Sequence, residues 1–140
     1  MTIQQGANDR ITSRPVANHN DFMRVRQLLI DTYPLYGTYQ NWELRRWEGQ
    51  WYWGRSQDID DILNYARLWE TASGEVVAAA HIEGSNLGNA WIESHPDYRH
   101  LEPEMIEYAE TNLAKIRDDG KRSLDWYIYD DDTLRRDLLA

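Results

Sequence analysis

The stretch from Asn89 to Lys115, NAWIESHPDYRHLEPEMIEYAETNLAK, restricts the folds open to this chain more than any other. Ala90 to His95 has the length of a short strand, and His95-Pro96-Asp97 marks a turn. Met105, Ala109, Leu113 and Ile116 then recur at three- and four-residue spacing, which predicts an amphipathic helix from about Pro103 to Arg117. A strand feeding a helix in this way belongs to an α/β unit, and the turn between them is where such units bind anions.

A phosphate-binding turn needs backbone N–H groups aimed at the anion, glycine for close approach, and a free positive helix end. Here Asp97 to Met105 reads DYRHLEPEM, with no glycine, with Pro103 removing one N–H, and with Glu102 and Glu104 at the helix start. Each carboxylate suits the helix dipole by roughly 0.3–1 kcal/mol. At about 6 Å and an effective dielectric near 20, each repels a phosphate charge by on the order of 3 kcal/mol. Arg99 and His100 are the cations that offset this.

Residues 1–9 are polar and are expected to fray; a single domain is expected over 10–140. Arg10 to Val16 alternates weakly as a first strand, which Pro15 limits to a sheet edge or marks as its end. Asn18 or Asn20 caps a helix with Phe22, Val25, Leu28 and Leu29 on one stripe, stopped at Thr32-Tyr33-Pro34. After the loop LYGTYQ, Asn41 is expected to cap a second helix, WELRRWEGQWYW, and Ile59, Ile62 and Leu63 turn one face of a third, Asp58 to Ala66, inward. Arg67 to Thr71 and Val76 to Glu83 flank a Gly-containing loop and predict a hairpin, extended to a meander by Ala90 to His95. Asp118-Asp119-Gly120 ends the helix of the central stretch. Ser123 to Tyr129 is a last strand, parallel to its predecessor if the two are neighbours, and Asp130 to Asp132 cap a final helix, TLRRDLLA.

The run HPDYR at 95–99, followed by a helix containing YAE at 108–110, resembles the strand-turn-helix core of the GNAT acetyltransferase superfamily. The resemblance implies an α/β (α+β) fold with a mixed, mostly antiparallel central sheet and helices on both faces, here without the family's C-terminal strand pair. It also implies that Trp91, Ile92 and Glu93 face a pantetheine arm and that Tyr98, Arg99, His100 and Leu101 meet the pyrophosphate of acetyl-CoA. Glu93 becomes the candidate base, with a surface carboxylate as the plainer reading. Arg99 stands where the family's motif begins, but its glycines do not follow. A degenerate half of a tandem protein is therefore expected, binding no cofactor by itself, its sheet edge covered by a second GNAT-like domain or another copy. The family's acid, a Tyr in the last helix, has no counterpart in LRRDLLA; Tyr127 and Tyr129 substitute only if their side chains reach the cleft.

Composition narrows the rest. The chain has 140 residues, no Cys, and a formal charge of −9, so no thiolate metal site or disulfide exists and no basic stripe is available for nucleic acid. No apolar run suits a membrane span or signal peptide, and a cytoplasmic protein is expected. His81, His95 and His100 lack metal-ligand spacing. Seven Trp and nine Tyr against one Phe suit cleft walls as well as cores. Trp47 and Trp51 share a helical face and Trp42 lies well away from it. These three are candidate substrate-binding residues for a small amine, with core packing as the alternative. An active N-acetyltransferase with atypical CoA binding and a small-molecule binding module remain the two alternative functions.

Overall fold

A computed structural model describes residues 10–36, 41–53 and 56–140, with only the backbone for 56–58. The expected frayed segment 1–9 and most of the loop before Asn41 lie outside the described residues. Strand β1 (Ile11–Pro15) leads to helix α1 (His19–Thr32), one 3-10 turn (Tyr33–Leu35), α2 (Leu44–Tyr52) and α3 (Ser56–Tyr65). Strands β2 (Arg67–Thr71), β3 (Val76–His81) and β4 (Asn89–Ser94) follow, then a 3-10 turn (Pro96–Leu101) and α4 (Glu102–Asn112). Short strands β5 (Lys115–Ile116), β6 (Arg122–Ser123) and β7 (Asp125–Trp126) precede α5 (Thr133–Leu139). The main sheet runs β1-β2-β3-β4-β7, antiparallel except for the parallel β4–β7 pair. This is the expected α+β class, a mixed and mostly antiparallel sheet with helices on both faces.

Each face has its own core. Phe22, Val25, Leu28 and Leu29 of α1 pack with Trp47, Ile62, Leu68, Val76 and Ala79 on one side. On the other, Met105 and Ile106 of α4 pack with Trp69, Val77, Ala78, Ala80 and Ile92. The triple alanine at 78–80 is buried throughout; its small side chains let helices approach β3 from both faces. A bulge makes this sharing possible. Trp69 pairs with Ala78 but Glu70 pairs with Val76, so Val77 is an extra residue and joins Ala78 on the α4 face.

Helix α1 starts as expected, with the Asn18 side chain accepting from Asp21 N–H (2.9 Å). Three expectations need correction. Helix α2 begins two residues late, capped at Glu43 without a side-chain bond, because Asn41 is engaged elsewhere. Helix α4 ends at Asn112 rather than Arg117. Met105, Ala109 and Leu113 are fully buried as the stripe requires, but Ile116 is 70% exposed, so no packing rewards a further turn. Instead Gly88 N–H takes the Leu113 carbonyl (2.8 Å), and Lys115–Ile116 fold back on Arg122–Ser123 as a small hairpin. Gly88 sits at φ +113°, and a Cβ there would meet the Lys115 Cβ at 3.1 Å, so this junction requires glycine. The expected last strand, Ser123 to Tyr129, is likewise ordered into the sheet only at Asp125–Trp126.

Candidate functional site

The turn between β4 and α4 is filled from within the chain. Glu102, fully buried at the start of α4, accepts from Arg99 Nε (2.7 Å), Arg135 Nε (3.0 Å) and Ser94 Oγ (2.8 Å). Arg99 also reaches Asp132 (2.8 Å), which caps α5 by accepting from Arg135 N–H (3.2 Å). Burial alone would raise the Glu102 carboxyl, yet the hydrogen bonds from the two guanidinium groups hold it down at about 2. Two cations and two carboxylates thus neutralise one another where a bound anion would sit. Arg99 is committed to protein partners, Tyr98 and Leu101 are buried, and only His100 of the expected pyrophosphate contacts has an exposed side chain.

The outer edge of β4 is closed at both ends and open between. β7 pairs only with Asn89 and Ala90. At the other end the Asn41 amide accepts from Ser94 N–H (3.0 Å) and donates to Ser94 O (3.1 Å), while the Tyr36 hydroxyl donates to the same carbonyl (2.5 Å). His95 N–H points the opposite way, to Val77 O (2.9 Å). By strand alternation the N–H and C=O of Ile92 therefore face outward, between β7 and Asn41, with no strand alongside among the described residues. A cleft of about 240 Å³ lies here, lined among others by Trp42, Arg46, Trp91, Tyr127, Tyr129 and Arg135.

A larger cleft, about 680 Å³, adjoins it and shares Asn41, Trp42, Glu43 and Tyr129. Its remaining walls are apolar or aromatic (Leu29, Ile30, Tyr33, Tyr36, Leu44) apart from Arg45. Trp42 joins the clefts to the core: its ring lies 4.6 Å from His81 and 5.5 Å from Trp91, and Trp91 stacks on Tyr127 at 4.9 Å. Arg46, paired with Glu83, lies over both indoles at 5.4 and 5.3 Å. Among the described residues the indole N–H groups of Trp42 and Trp91 are buried without a hydrogen-bond partner. Each such orphan costs about 1–3 kcal/mol, so this wall is not optimised for stability alone.

Glu93, the candidate base, does not reach either cleft. It is fully buried on the α1 face and contacts His81 Nε2 at 2.9 Å. His81 Nδ1 is 2.8 Å from Ile82 O and donates to it, so Nε2 is the ring nitrogen that faces the Glu93 carboxyl group. Of the three candidate tryptophans, Trp42 lines both clefts. Trp47 is fully buried, stacks on Phe22 at 5.1 Å and donates to Phe22 O (3.1 Å); Trp51 packs on Phe22 and His19 at 5.0 Å. Neither belongs to the cleft walls, and the core alternative describes both. Tyr127 and Tyr129 do reach the clefts. Sequence reasoning missed Tyr33, Tyr36, Glu43, Arg45 and Arg135. Only Arg135 had a local signal, its three-residue spacing from the capping Asp132.

Comparison of the chain with protein-family models, with curated proteins and with solved structures finds no match. The fold and site define an α+β domain with a paired aromatic cleft on one side of a split sheet edge. Among the described residues no helix is long and apolar enough to cross a membrane.

Proposed function

We propose that this chain is a GNAT-like domain that has given up its own acetyl-CoA pyrophosphate site and serves as the substrate-shaping half of an N-acetyltransferase. The Glu102 carboxylate carries this reading. Held between Arg99 and Arg135, it supplies internally the negative charge that the α4 N-terminus and Arg99 would otherwise offer to a phosphate. What stays open is the aromatic cleft pair around Trp42, which suits a small organic molecule. Exposed Tyr127, Tyr129, Leu134 and Leu138 support a partner domain or second copy against this side.

One observation favours the alternative, an active acetyltransferase with atypical CoA binding. The outward N–H and C=O of Ile92 suit an extended amide such as the pantetheine arm, which would then bind without help at its phosphate end. Calorimetric titration with acetyl-CoA and CoA at low and moderate salt separates the two. No heat up to millimolar cofactor is expected; micromolar, salt-sensitive binding would sink the proposal and make the DYRHLEPE turn a working site.

A further inference from the structure

The larger cleft carries a charge pattern that its shape does not require. Among the described residues, ten line it, eight of them uncharged and mostly apolar or aromatic; the other two are Glu43 and Arg45. Both residues are exposed, and among the described residues no ion pair or side-chain hydrogen bond neutralises either one. The neighbouring charges behave differently: Arg46 is taken by Glu83 and Glu48 by Arg26. The first turn of α2 adds a second acceptor-seeking feature. Its Glu43 cap makes no side-chain bond, and the first backbone bonds inside the helix are donated by Arg46 and Trp47. The N–H groups of Leu44 and Arg45 therefore stand at the positive end of α2 beside the Arg45 guanidinium. The same lining holds the aromatic rings of Tyr33, Tyr36, Trp42 and Tyr129 and the Glu43 carboxylate, groups that favour an ammonium.

We infer that the larger cleft binds a free α-amino acid with a bulky apolar side chain. Its ammonium pairs with Glu43, its carboxylate with Arg45 and the α2 N-terminus, and its side chain enters the aromatic and aliphatic pocket. A lone amine or lone acid leaves one of the two protein charges unmatched. A zwitterion matches both without changing the net charge of the site. The inference rests on the reading of this cleft as the substrate-shaping site, and names the substrate class.

Three ligands of one shape test it: phenylalanine, phenethylamine and 3-phenylpropionate, titrated into the full chain by calorimetry with tryptophan fluorescence as a second readout. Phenylalanine is expected to bind at least fivefold tighter than either analogue. Glu43→Gln should weaken phenylalanine and phenethylamine and leave 3-phenylpropionate unchanged, whereas Arg45→Met should weaken phenylalanine and 3-phenylpropionate and leave the amine unchanged. Both positions are exposed, so far-UV circular dichroism of the variants should match the parent. Equal affinity for all three ligands, or tighter binding of either analogue, overturns the zwitterion assignment alone. Absence of binding by all three at millimolar concentration overturns it together with the reading of the cleft, whatever the outcome with acetyl-CoA.

Discussion

Glu102 decides more than any other single residue. Its carboxylate is buried with two guanidinium groups and a hydroxyl, and such a cluster is stable only while every member is present. Arg135→Met should therefore cost roughly 3–5 kcal/mol in chemical denaturation, the range for removing one partner of a buried pair. The double variant Arg135→Met with Glu102→Leu should recover a good part of that loss, since it strands no charge. A single variant within about 1 kcal/mol of the parent would mean that Arg99 alone suffices. None of this was legible in sequence, where Glu102 read as a helix-dipole residue and Arg99 as a phosphate ligand. Glu102 and Arg135 are 33 positions apart, and only the docking of α5 brings them together.

At the scale of elements the sequence was readable wherever a periodic stripe met a stop signal. Helix α1 follows its Asn18 cap and its Phe22 to Leu29 stripe, the β2–β3 hairpin follows its Gly-containing loop, and the parallel β4–β7 pair follows from the helix between them. Helical angles put Trp47 and Trp51 on one face, as found, but they do not apply to Trp42, which precedes the α2 cap and packs with Trp47 on His81. The misreadings are tertiary in origin. Ile116 fits the α4 stripe in spacing, yet the loop at Gly88 captures the last carbonyl one turn earlier. Asn41 has the chemistry of a helix cap, yet it bridges 53 residues to Ser94 and serves as a substitute strand edge. The bulge at Val77 leaves no trace in VVAAAHI, where every residue before His81 is apolar or small.

For the molecule as a whole, acid is the condition that tests the charge clusters together. Glu102 lies at about 2 against an ordinary 4.5. Asp21 lies at about 2 against 3.8, lowered chiefly by its hydrogen bond from Arg14 against the opposing effect of burial. Both folded values are depressed, so the stability they confer is complete above about 4.5 and is lost as pH falls towards 2. For Glu102 the loss is on the order of 3 kcal/mol. Denaturation midpoints measured from pH 6 to pH 2 should fall through this window, and Glu102→Gln should start lower and fall less steeply; parallel curves would assign the acid limb to other groups. The bulge in β3 has its own consequence for the molecule. Residues 76, 78 and 79 alternate faces in perfect phase once Val77 is skipped, and each keeps a partner that does not depend on it. Excision of Val77 should thus behave as the loss of one buried side chain and of the Val77–His95 bond, with a lowered melting temperature and a retained fold. The middle strand of this sheet can change length by one residue without a change of frame.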